Sequence, residues 1–142
     1  MSRGEFADFL DASLAVLRRE TPPAVRHLAE QLAGRAVCFE VEPAPFALRV
    51  TADGHHLDPR VEDCPVSLGL ARSVVLDLIA GKLTLPEAVM RERLRPRGRA
   101  ADLGCFFDAL TAYLEGAVRA PSFPRLYRAY RRSEPIPSDL ED

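Results

Sequence analysis

The sequence has no apolar run approaching the ~18 residues that a bilayer span requires, so no stretch reads as a membrane-crossing helix. It also lacks a G-x-S-x-G elbow, a G-x-x-x-x-G-K-[ST] loop, an H-E-x-x-H pair and a G-x-G-x-x-G turn. The hydrolase, nucleotide, metalloprotease and dinucleotide chemistries that use those motifs have nothing to stand on here. Lysine is nearly missing: of 19 basic residues only Lys82 is one. Histidines number three. His55 and His56 are neighbours, and neighbouring side chains of a strand point to opposite faces, so they cannot chelate one metal together. His27 sits in a helical stretch with no cue tying it to a thiol, and a nucleophilic cysteine needs a base. The three cysteines, Cys38, Cys64 and Cys105, are spaced by 26 and 41. That odd set is neither a disulfide framework nor a metal pattern, and the expectation is three reduced thiols in or near the core. No catalytic residue, metal or cofactor is expected, and the chain reads as a non-enzyme. The first 20 residues carry acids in their first turns and no uninterrupted apolar stretch, unlike a signal peptide. The expected location is the cytoplasm, with peripheral membrane association left open.

A net charge of −2 gives no global attraction to nucleic acid, which is not an expected partner. The distribution is uneven. Residues 91–132 hold ten arginines and four acids, while residues 133–142 hold four acids and no base.

What is present fits one domain over residues 1–132, followed by an acidic, proline-punctuated tail, 133–142, expected to be flexible. At 15.7 kDa the folded surface should be roughly 7,300 Å², about a third of the unfolded one, which leaves room for a real core. Residues 5–19 place Phe6, Phe9, Leu10, Leu14 and Leu17 at helical spacing. Pro23 suits the start of a second helix that runs to about residue 33. Residues 36–41 and 46–51 alternate as strands. Asp53 and Gly54 predict a type I′ hairpin, with a return strand over 55–61. A fourth strand at 65–71 completes an apparent antiparallel meander. Residues 72–80 predict an apolar helix. Thr84 and Glu87 form a capping box for a short helix over 85–90, and 91–97 alternate as a fifth strand. The clearest period in the chain, Leu103, Phe106, Phe107, Leu110, Tyr113, Leu114 and Ala117, predicts a long helix over 100–119. A short one follows at 125–132. The fold class is α+β, a five-stranded, mostly antiparallel sheet covered on one face by helices.

The stretch GKLTLPEAVMRERLRPRG, residues 81–98, reads as a Gly-x-Leu turn, a short capped helix, a basic and apolar strand and a closing glycine before the long helix. This order resembles the C-terminal half of the sterol carrier protein type-2 family. The likeness covers roughly residues 25–120 and is strongest over 66–114. Two departures stand out: Arg99 where the family usually has Asp, and Pro96 within the strand. The resemblance implies a non-catalytic carrier holding an acyl chain, sterol-like or isoprenoid molecule in a tunnel between sheet and helices. Carried onto this chain, it implies lining by Val74, Leu78, Val89, Met90, Phe106, Phe107, Leu110, Leu114, Phe123, Leu126 and Tyr127. Periodicity alone reads the same side chains as ordinary core. Single-domain bacterial relatives of the fold look like helpers in ubiquinone synthesis, so an accessory protein for lipid-modifying enzymes is the alternative. A plain interaction domain with a collapsed tunnel is the third reading.

Arg91, Arg93, Arg95, Arg97 and Arg99 recur at every second residue and would share one face of a strand. They read either as a solvated, edge-blunting face or as a contact for an anionic membrane surface, extended by Arg125 and Arg128.

Overall fold

The computed structural model describes residues 4–41, 44–59 and 63–140. Two helices open the chain, α1 (Glu5–Glu20) and α2 (Pro22–Gln31). Four strands follow: β1 (Val37–Glu40), β2 (Phe46–Val50), β3 (His55–Asp58) and β4 (Val66–Leu70). Then come α3 (Arg72–Ile79), α4 (Leu85–Met90), β5 (Leu94–Gly98), α5 (Ala100–Arg119) and α6 (Phe123–Arg131). A single 3-10 turn covers Ser138–Leu140. This is the expected α+β layout with a five-stranded, mostly antiparallel sheet.

The strand order is β3-β2-β1-β4-β5, and here the meander expectation is corrected. β4 does not pair with β3. It crosses to the middle of the sheet and pairs parallel with β1, with Val37 opposite Val66 and Phe39 opposite Leu68. The reason lies in polarity. β3 reads His-His-Leu-Asp and tolerates an edge, whereas β4 contributes Val66, Leu68 and Leu70 to the core and needs neighbours on both sides. The hairpin is also corrected. Neither Asp53 nor Gly54 adopts a positive φ. The β2–β3 turn is closed instead by Thr51, whose N–H donates to the Gly54 carbonyl at 2.8 Å while its hydroxyl accepts from the Gly54 N–H at 3.1 Å. β3 ends at Asp58, and Val61 lies outside the described residues.

The expectation of three free thiols falls as well. Cys38 and Cys64 form a disulfide, and Cys105 is free. Val37 and Phe39 face the core, so Cys38 faces the side of the sheet without helices. Cys64 lies between β3 and β4 in the chain and is bonded to Cys38 there. A separation of 26 residues carries no such information by itself.

The helices fill the other side. α1 buries Phe6, Phe9, Leu10, Leu14 and Leu17, but also Ala7, Ala12, Ala15 and Val16. A helix apolar nearly all round is an interior one, and α1 lies against α2, α5, α6 and β3. α4 starts with the expected capping box: the Thr84 hydroxyl accepts from the Glu87 N–H at 3.2 Å, and the Glu87 carboxylate accepts from the Thr84 N–H at 3.2 Å. Those bonds hold the Glu87 carboxyl below its usual pKa. Residues 134–140, within the stretch 133–142 expected to be a flexible tail, lie against the body. Leu140 is 3 % exposed, Ile136 packs on the core, and Arg125 pairs with Asp139 at 2.6 Å.

Candidate ligand cavity

Five inward side chains of the sheet, Phe39, Leu48, Leu68, Leu70 and Leu94, form a floor. Above it stand Phe6, Phe9, Leu10 and Leu14 of α1, Leu28 of α2 and Leu32 just after it, Val75, Leu78 and Ile79 of α3, and Phe106, Leu110, Tyr113 and Leu114 of α5. They line a cavity of about 90 Å³ that is partly open to the surface. Only Tyr113 brings a polar group to the wall, and its hydroxyl is engaged elsewhere. It donates to the Ser13 hydroxyl at 2.6 Å, which in turn donates to the Leu10 carbonyl at 2.8 Å. Burial pushes the Tyr113 phenol well above its usual pKa, so it stays neutral. Such an apolar lining offers water no hydrogen-bond partners and favours apolar guests.

The volume sets a limit. It equals the share of roughly three liquid waters, against roughly 300–1,000 Å³ for sites that enclose drug-sized ligands. A long chain therefore enters only if the wall parts. The seam between α3 and α5 is the place where this costs least. Leu78, Ile79, Leu110 and Leu114 are only partly buried there, and among the described residues no hydrogen bond joins the two helices. α3 is fastened on its other flanks. The Arg72 guanidinium donates to the Arg131 carbonyl at 3.0 Å, the Tyr127 hydroxyl to the Leu76 carbonyl at 3.2 Å, and Arg93 to Asp77 at 3.0 Å.

Of the eleven side chains implied by the family resemblance, Leu78, Phe106, Leu110 and Leu114 lie on this wall. Phe107 is half-buried beside the seam, with its ring 5.4 Å from that of Phe106. Val74 and Leu126 are buried elsewhere in the core, and Val89 is half-buried on α4. Phe123 packs against Phe9 and Tyr113, Tyr127 serves α3, and Met90 is 83 % exposed. The wall residues of α1, α2 and the sheet were absent from the expectation. The all-round apolar character of α1 was the available signal.

The arginine ladder is shorter than its spacing suggests. α4 ends in a turn with Glu92 at φ 58, and β5 begins only at Leu94. Arg91 and Arg93 are thus off the strand. Arg95 and Arg97 sit on its outer face, and Arg99 precedes α5. Arg125 is taken by Asp139, and Arg128 is exposed on α6. His55 and His56 point apart as strand alternation demands. His55 Nε2 lies 2.7 Å from the Asp11 carboxylate, and His56 is exposed. No group of His, Cys, Asp and Glu among the described residues could hold a metal ion.

No protein-family model and no curated protein matches the sequence. Solved structures do match. The chain is similar to a UbiJ-SCP2 ubiquinone synthesis protein, with a TM-score of 0.59 and 17 % identity over 81 % of this chain and 96 % of that one. It is similar to sterol carrier protein 2 from Yarrowia lipolytica in its apo form, at 0.55 and 14 %, over 85 % and 97 %. A sec-alkylsulfatase from a Pseudomonas species also matches, at 0.44 and 20 %, over 56 % of this chain; the chain spans only 13 % of that enzyme's length. At these identities the likeness establishes a fold.

Proposed function

From the sterol carrier protein type-2 fold that this chain has, we propose that it is a non-catalytic carrier of an apolar ligand, a fatty acyl, sterol-like or isoprenoid molecule. The observation that carries the reading is the apolar cavity between sheet and helices, with its unfastened seam between α3 and α5. The mechanism is shielding. Burying about ten methylenes is worth roughly 8 kcal/mol gross. That gross figure puts micromolar affinity as the ceiling, and lost ligand freedom and the parting of the seam subtract several kcal/mol from it. A carrier that must also release its cargo is suited by such a value. Solvent extraction of the purified protein with mass spectrometry tests the reading, together with uptake of a fluorescent fatty acid. A bound lipid or saturable uptake supports it. A clean protein that takes up nothing overturns it.

The second reading is an accessory protein for lipid or ubiquinone biosynthesis enzymes, without chemistry of its own. The likeness to a ubiquinone synthesis protein over most of both chains favours it, as does the small size of the cavity. Recovery of such enzymes with the tagged chain, and loss of that recovery on denaturation, is its test.

No helix among the described residues is long and apolar enough to cross a membrane. The expected cytoplasmic setting and a formed Cys38–Cys64 bond pull in opposite directions, because cytoplasmic glutathione keeps most thiols reduced. Thiol alkylation at the moment of lysis reads which holds.

A further inference from the structure

Residues 90–99 carry the chain out of α4, along the edge strand β5 and into α5, and they hold five arginines against one glutamate. β5 is the outermost strand, so the segment runs along one edge of the sheet. Arg93 is spent internally on Asp77. Arg91 meets Glu87 at 3.6 Å with both side chains largely in water, a pairing of little worth. Arg95, Arg97 and Arg99 pair with no carboxylate among the described residues.

One of these cations is seated rather than loose. Arg95 stands opposite Gly69 and Arg97 opposite Ser67 on β4. A Cβ at Gly69 would meet the Arg95 guanidinium at 3.1–3.4 Å, so the missing side chain is what lets that guanidinium lie against the strand. In the same ten residues Met90 is 83 % exposed. Its helix neighbours Ala88 and Val89 are buried or half-buried, so Met90 projects away from the body. The backbone of this edge is a poor partner. β5 is outermost in the sheet, and Pro96 has no N–H to offer an added strand.

We propose that this edge docks on the headgroup layer of an anionic phospholipid bilayer, Arg95, Arg97 and Arg99 meeting lipid phosphates and Met90 entering the acyl boundary. The planar guanidinium matches a phosphate in two hydrogen bonds, and cations near an anionic leaflet are each attracted to it. Met90 selects among polyanions, since a nucleic acid or an acidic protein in water gives an exposed thioether no apolar medium to enter. The proposal rests on the carrier reading, in which a ligand is collected from a bilayer and returned to it.

The test is flotation with vesicles of phosphatidylcholine alone and with about a third phosphatidylserine, at low salt and at about 0.5 M salt, where the Debye length has shrunk below ~5 Å. The expected result is binding to the anionic vesicles only, lost at high salt. Binding should weaken roughly tenfold or more in an Arg95→Glu/Arg97→Glu variant and several-fold in Met90→Asp. A charge-matched Arg26→Glu/Arg119→Glu variant, altered on α2 and at the end of α5, should keep most of its binding. No binding at low salt, or equal losses in the two double variants, overturns the proposal. So does binding to heparin that matches the vesicles and ignores Met90→Asp. Uptake of a fluorescent fatty acid without vesicles is measured on the same Arg95→Glu/Arg97→Glu protein and should be unchanged. Failure of uptake in the unaltered chain would instead count against the carrier reading.

Discussion

The Tyr113 hydroxyl donates a 2.6 Å hydrogen bond to the Ser13 hydroxyl, 100 positions away, and so ties the long helix α5 to the buried helix α1. Ser13 is fully buried and passes its own proton to the Leu10 carbonyl. A phenol and a hydroxyl are thereby kept at the edge of an apolar cavity without an unsatisfied group. Replacement of Tyr113 by Phe leaves Ser13 still bonded to Leu10, so the cost should be modest, about 1 kcal/mol in urea unfolding.

The same burial makes a pH prediction. Desolvation raises Tyr113 far above its ordinary pKa and pushes Tyr130 up to about 12. Both folded pKa values lie above the unfolded value near 10. The stabilisation is therefore fully present below pH 10 and is lost as pH rises through the folded values. Between pH 10 and 12 the unfolding free energy should fall by about 1.4 kcal/mol per unit for each tyrosine. Tyr130→Phe should remove one proton from that slope. It should also stabilise the protein at neutral pH by about 1 kcal/mol, because the Tyr130 hydroxyl is buried without a partner. A Tyr130→Phe protein less stable than the parent at pH 7 would show that the hydroxyl is satisfied after all.

The Cys38–Cys64 bond closes a loop containing β1, β2 and β3 and fastens the crossing that leads to β4. For 26 residues, chain entropy alone gives about 3–4 kcal/mol. Reduction, or Cys64→Ser, should lower the unfolding free energy by about that amount. Reductant should then have no further effect on the Cys64→Ser protein.

How much of this was legible depended on whether the cause was local. The amphipathic period of α5, the proline start of α2 and the Thr84–Glu87 box are local, and each appears as the sequence predicts. The exchange of β3 and β4 was not legible, because strand order depends on which strands can bear an edge, a comparison across the whole sheet. The disulfide was hidden for the same reason, since Cys64 reaches Cys38 only once that crossing exists. In the candidate site, Leu78, Phe106, Leu110 and Leu114 were implied by the family resemblance, while helical spacing alone read them as core, and Phe39, Leu48 and Leu68 were not implied at all. Strand alternation reports that a side chain faces inward, not that it borders a void. Arg93 looked like a rung of a basic ladder until Glu92, with its positive φ, moved the start of β5 past it.

Two glycines of α5 should respond to the same substitution with opposite signs. A Cβ on Gly116 would lie 2.6 Å from the Ala24 Cβ and 3.1 Å from both Leu17 Cδ2 and Thr21 Oγ1. Those contacts hold α2 and α1 against α5. Overpacking costs about 1–3 kcal/mol, and the better helix propensity of alanine returns about 1. Gly116→Ala should thus lose up to about 2 kcal/mol. A Cβ on Gly104 meets nothing within 4 Å, so Gly104→Ala should gain up to about 1 kcal/mol from propensity alone. Thermal melts of the two variants read this directly, and a shared sign would refute the packing argument.

Cavity and carriage can be separated by filling the space. At about 24 cal/mol per Å³ of void, an empty 90 Å³ costs about 2 kcal/mol. Ala109 is buried on the wall, and Ala109→Leu places new apolar atoms in the space without adding charge. The variant should be about 1 kcal/mol more stable, and its uptake of a fluorescent fatty acid should fall sharply, because a ligand would have to displace a covalently held one. Leu110→Asp, which sets a carboxylate at the seam, should abolish uptake by a different route and cost stability, since a charge facing an apolar void is poorly solvated. The two variants move stability in opposite directions and uptake in the same one. A folded Ala109→Leu protein that still takes up ligand like its parent would place the binding site outside this cavity.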